Sequence, residues 1–179
     1  MEATVGNVGR RFEVADDSGF LALLDQHAYQ GFVDPDWTYD TIFAHFRTAM
    51  AKRSLLLWGT GRGDIWTVDI VVGKAAPLTG FRRVTGPIRV SAGQLHLTNY
   101  ESLTMAAMDR DLRLPELHQR DQVLALPSGV YCCEIVQVID PDGDLDGPDD
   151  EPRTGPDFVI ALRAGQEVEA WPDPAWHDG

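Results

Sequence analysis

The chain has 179 residues, 44% of them hydrophobic, with 28 acidic against 15 basic side chains and a formal net charge of −13. That length suits one domain with a core that needs no metal or disulfide support, and the ordinary apolar share excludes disorder across the whole chain. The charge is uneven: residues 1–139 hold 16 acidic and 13 basic groups, net −3, whereas residues 140–179 hold 12 acidic and 2 basic groups, net −10.

A field of that sign repels phosphate backbones and anionic lipid surfaces and attracts a basic partner. Direct nucleic-acid binding and membrane association are therefore not expected, although acidity also serves solubility alone. Cys132 and Cys133 are adjacent; neighbours on a strand point to opposite faces, so no disulfide is expected. Met1 to Arg11 lacks the apolar run of a signal peptide, and no segment approaches ~18 consecutive apolar residues. These features together point to a reducing cytoplasm.

In chain order, Phe12 and Val14 alternate as in a strand, and Asp16-Asp17-Ser18-Gly19 is a turn. Phe20 to Leu24 reads as a strand closing a hairpin, with a short helix capped by Ser18 as the alternative. A loop around Gly31, Asp34, Pro35 and Asp36 precedes a helix expected over about Tyr39–Lys52. Asp36 or Thr38 can cap it, and Ile42, Phe43, Phe46 and Met50 form its apolar face.

Ser54 to Trp58 and Ile65 to Val72 look like a second hairpin around Gly59–Asp64. Phe81 to Val84 has strand character. Pro87 to Ala92 and Leu95 to Thr98 look like a third hairpin turning at Gly93, with His96 on its outward side. Residues 100–122 are irregular, with a short helical turn starting near Ser102; Val123–Leu126 is a strand, Pro127-Ser128-Gly129 a turn, and Val130–Ile139 the longest strand signal. Asp140–Pro156 is an acidic Pro/Gly-rich loop, Phe158–Leu162 a final strand.

Many short strands and one substantial helix predict a mainly β protein, a β-sandwich of one domain over residues 1–164. Residues 165–179 read as a loose acidic tail, with Trp171 and Trp176 able to pack back. Strands do not alternate regularly with helices, which argues against a Rossmann sheet.

The acidic loop is the sharpest local feature. Asp142-Gly143-Asp144-Leu145-Asp146-Gly147 matches the first half of a calcium loop, in which alternate carboxylates and a turn glycine supply the oxygens. Arg153 stands where the pattern needs a bidentate Glu, so calcium on Asp142, Asp144 and Asp146 remains the alternative to a solvated, partner-binding loop.

His27, His45, His96, His118 and His177 show no zinc-ligand spacing. Cys132 and Cys133 sit mid-strand in an apolar run, which reads as core packing and not as a nucleophile. Gly59-x-Gly61-x-Gly63 lacks the Lys-Ser/Thr ending of a phosphate loop and reads as a turn. Arg82, Arg83 and Arg89 read as a solvated strand edge. Chosen by residue type alone, His96, His118 and Tyr100 are the side chains an enzyme reading requires.

Two segments carry a resemblance: Asp36-Trp37-Thr38-Tyr39-Asp40 before the helix, and Leu124-Ala125-Leu126-Pro127-Ser128-Gly129-Val130-Tyr131 leading into the long strand, with Gly86-Pro87-Ile88-Arg89-Val90 between. In these the chain resembles the competence protein J family, small bacterial inhibitors of a DNA-entry nuclease, over roughly residues 12–140. The resemblance implies a β-sandwich that acts by binding a protein. This chain adds an insertion around residues 100–122 and the acidic end.

The expectation is a non-catalytic module without a cofactor that meets a basic protein, such as a nuclease. Its expected charged surface is Asp142, Asp144, Asp146, Asp149, Asp150 and Glu151.

Overall fold

The computed structural model describes residues 9–77, 79–143 and 154–177. It holds nine strands in two sheets and two α-helices: β1 (Arg10–Asp16), β2 (Phe20–Leu24), α1 (Tyr39–Ala51), β3 (Leu55–Gly59), β4 (Asp64–Val72), β5 (Arg82–Val90), β6 (Gln94–Asn99), α2 (Tyr100–Met108), β7 (Val123–Ala125), β8 (Gly129–Gln137) and β9 (Phe158–Ala164). A 3₁₀ turn, Leu117–Gln119, precedes β7. The five-stranded sheet has the order β1-β4-β9-β8-β5, the four-stranded sheet β3-β2-β6-β7. The expected mainly β sandwich is what forms.

Its connectivity differs from the expected hairpins. β1 pairs with β4 and β2 with β3, while β5 pairs with β8 and β6 with β2 and β7. The tight turns at 17–19, 60–63 and 91–93 therefore arch from one sheet to the other, and none closes a hairpin. Burial explains the sorting. β1 and β4 expose alternate residues and suit a sheet with one wet face. β2 and β3 read FLALL and LLLWG and bury almost every side chain, which demands cover on both faces.

The helices supply that cover. α1 buries Ile42, Phe43, Phe46, Ala49 and Met50 and packs on β3. Thr38 caps it reciprocally: its hydroxyl accepts from the Thr41 amide, and its own amide donates to Thr41 Oγ1 at 2.8 Å. α2 is a full helix where only a turn near Ser102 was expected. Asn99 caps it by accepting from the Ser102 amide at 2.9 Å, and it packs on β6 and β2.

The two pieces expected at 81–84 and 87–92 form one nine-residue strand, β5. Pro87 is tolerated within it because β5 is an edge strand, where a missing N–H breaks no ladder on the open side. Cys133 joins the central core, and Cys132 is also buried; both are free thiols. No helix among the described residues is long and apolar enough to cross a membrane.

Residues 165–177, expected as a loose tail, are tied along the sandwich. The buried Trp171 ring rests on Gly86, where an added Cβ would meet it at 2.6 Å, and its Nε1 donates to Thr85 O at 2.7 Å. Ala175 then pairs with Trp58 as a short parallel addition to the open edge of β3, with Gly59 N–H donating to Ala175 O at 2.8 Å. Beyond it Trp176 lies under the Arg82 guanidinium, and Tyr39 Oη is 2.7 Å from His177 Nε2.

Candidate functional site

One end of the sandwich gathers the β1–β2 turn, the β3–β4 turn, the start of the β8–β9 loop and the end of the tail. Asp16 organises it. Its Oδ1 accepts the amides of Ser18, Gly19 and Phe20 at 2.8–3.1 Å, which shapes the turn after β1. Its Oδ2 accepts from Thr60 Oγ1 at 2.8 Å and Trp66 Nε1 at 3.2 Å, reaching the neighbouring turn and the core. Burial pushes this carboxyl up, opposed by the hydrogen bonds from Thr60, Phe20, Trp66 and Gly19.

Arg62 fixes the base of the acidic loop. Its guanidinium lies over the Trp66 ring, donates to Asp64 Oδ2 at 2.9 Å and reaches Pro141 O at 2.7 Å. Asp140 follows β8, and its Oδ1 accepts the Asp142 amide at 2.9 Å, which turns the chain outward. Asp17, Asp140 and Asp142 are exposed at this end. Asp144, Asp146, Asp149, Asp150 and Glu151 lie outside the described residues, so Asp142 is the one residue of the expected charged surface, and of the calcium alternative, that the structure places.

Asp157, which ends the same acidic stretch, belongs to the framework: it is buried, and its Oδ2 accepts the Thr67 amide at 2.8 Å. Negative charge continues round the corner in a cleft of about 310 Å³ lined by Asp17, Glu101, Glu116 and His118. Both carboxylate oxygens of Glu101 are buried and accept no hydrogen bond among the described residues. Sequence reasoning missed Glu101 and Glu116, because the region 100–122 shows no regular pattern. The signal that could have found Glu101 is Asn99 as a helix cap two residues before it.

The side chains named for an enzyme reading are not assembled into a site. Nor do the described residues contain a group of three or more His, Cys, Asp or Glu placed to hold a metal. His118 is exposed beside Glu116. Tyr100 packs its ring on Phe20. His96, expected on an outward face, is fully buried, because β6 lies inside its sheet with α2 against it. Its Nδ1 is 3.1 Å from Gln122 O.

Burial lowers the His96 imidazole below its ordinary 6.5, and His45 shifts the same way for the same reason. The unfolded chain therefore takes up protons first, and stability present above pH 6.5 is lost as pH falls through the lowered values. Urea midpoints are expected to drop between pH 7 and about 5, and to drop less in His96→Gln.

The Cys133 thiol is likewise raised by burial, far from a reactive thiolate. Gly59 ends β3, and residues 60–63 turn the chain into β4 in the other sheet, where a hairpin turn was expected. Arg82 and Arg83 are not simply solvated: Arg82 Nε donates to Gln137 Oε1 at 2.6 Å, and Arg83 pairs with Glu134.

No family model and no curated protein sequence matches the chain. Two solved structures share its fold. A protein described as crocagin biosynthetic gene J superposes with a TM-score of 0.61 at 16% identity, covering 89% of this chain and 99% of its own. In fold the chain is also similar to ComJ, the inhibitor of the DNA-degrading activity of NucA from Bacillus subtilis, with a TM-score of 0.52, 13% identity, and 89% of this chain and 98% of that one covered.

Proposed function

We propose that this chain is a non-catalytic protein-binding module that meets a basic partner with its acidic end and inhibits it, the partner being an enzyme with a positive cleft such as a nuclease. The observation that carries the reading is the net −10 gathered in residues 140–179, which begins beside the exposed Asp17, Asp140 and Asp142. A cleft built for a polyanion attracts such a surface over a Debye length and speeds encounter. The likeness to ComJ, described as a nuclease inhibitor, supports the same class of action.

The test uses a partner recovered by pull-down from the native cell and stopped-flow association. Neutralising Asp142, Asp144, Asp146, Asp149, Asp150 and Glu151 to their amides is expected to slow association roughly tenfold at low salt and to flatten its salt dependence. An unchanged on-rate counts against this surface. Calorimetry with calcium checks the alternative, and tight binding there favours a metal loop.

A further inference from the structure

The opposite end of the four-stranded sheet holds a cleft with the reverse charge. β2 leaves the sheet at Leu24, and residues 24–32 then face residues 106–114 at and beyond the end of α2. The space between them is about 420 Å³. His27, Arg110 and Arg113 are among its lining side chains, and no carboxylate is. In a chain of net charge −13, a cleft whose charged lining is two arginines and no carboxylate runs against composition.

The two arginines are held in place without being neutralised. Arg110 lies over the Phe32 ring, 4.6 Å from its centroid. Arg113 Nη1 donates to Arg110 O at 2.8 Å. Neither forms an ion pair among the described residues, whereas Arg11, Arg47, Arg62, Arg83 and Arg163 each meet a carboxylate.

Other polar groups of the wall are also left over. Tyr29 is 9% exposed, and its hydroxyl has no hydrogen-bond partner among the described residues; nor has Gln26 Oε1. Buried polar atoms of this kind are normally satisfied. Leu112 and Leu114 add apolar surface beside Phe32.

We propose that this cleft binds a small organic acid, with its carboxylate received by Arg110 and Arg113 and its apolar body laid against Phe32, Leu112 and Leu114. A guanidinium's planar fork of N–H donors matches a carboxylate's two oxygens, and contact of its face with an aromatic ring leaves that edge available. The volume falls in the range of roughly 300–1,000 Å³ usual for such ligands. The site is independent of the acidic end.

Calorimetric titration of the full chain with 1-naphthoate, against the neutral 1-naphthamide, tests it. Saturable one-to-one binding is expected for the acid, with the amide at least about tenfold weaker. Arg110→Gln and Arg113→Gln, both at exposed positions, are each expected to weaken the acid roughly tenfold with an unchanged circular dichroism spectrum. The amide-neutralised acidic loop is expected to bind 1-naphthoate as the unmodified chain does. Absence of saturable binding up to about 5 mM overturns the proposal, as does equal affinity for acid and amide, or unweakened binding in both arginine variants.

Discussion

Asp16→Ala is expected to lower unfolding free energy by about 3–5 kcal/mol, the range for removing one partner from a buried, charge-assisted network. The carboxylate serves five donors, three of them turn amides. Truncation removes the carboxylate that accepts from the indole N–H of the fully buried Trp66, and the turn after β1 loses the acceptor that shapes it. Thr60 suffers less, because its hydroxyl also lies 2.7 Å from Arg62 O.

Asp16→Asn separates the contributions. Its amide oxygen can keep the turn amides, but its NH₂ would face the indole N–H, donor against donor. Its loss is expected to be smaller than that of Asp16→Ala. Chemical denaturation followed by tryptophan fluorescence measures both. A loss under about 1 kcal/mol for the Ala variant would show that the network contributes little.

Trp171→Ala is expected to cost about 3 kcal/mol, as for other large aromatic truncations, and to loosen the tail from the sandwich. The ring fills the space above Gly86 and bonds Thr85 O. Residues 173–177 follow it, and of their contacts only the Ala175 pairing with β3 is a backbone ladder. Gly59→Val attacks that ladder directly, since a Cβ there would lie 2.4 Å from the Trp176 carbonyl oxygen. Limited proteolysis should cut both variants within residues 165–177 faster than the unmodified chain. Equal protection in both would mean that the tail is held by its remaining contacts, such as Arg47 with Asp173.

Docking of the tail also bears on sheet chemistry. β3 is the edge of its sheet and is wholly buried along its length. An apolar edge left open is a template for pairing with other chains. Ala175 bonds both Leu57 O and Gly59 N, so the chain's own end closes part of that edge. The sequence displays Trp171 and Trp176 as candidates for return, but where they land depends on Gly86 and Gly59, which are distant in sequence and read locally as ordinary turn or strand glycines.

The acidic end was partly legible. Its charge is a matter of counting, and Asp142 stands where the loop was expected. That Asp157 is withdrawn into the framework, and that Glu101 and Glu116 line a cleft beside Asp17, depends on which elements meet there. The arginine-walled cleft was invisible for the same reason: Phe32 and Arg110 are far apart along the chain, and only the seating of residues 33–34 on the end of α2 brings them together.

Local chemistry was enough to specify most of the elements, α2 and the full length of β5 excepted. The β-branched and aromatic run at 130–139, the Thr38 cap with its apolar helical face, and the glycine and aspartate turns each act over a few residues, so they are readable in one dimension. Pairing was decided elsewhere. A tight turn reverses the chain equally well within a sheet or between sheets, and a strand buried on both faces carries no alternation to reveal its neighbours. Tertiary burial made the choice, placing half-wet β1 beside β4 and wholly dry β2 beside β3 under two helices.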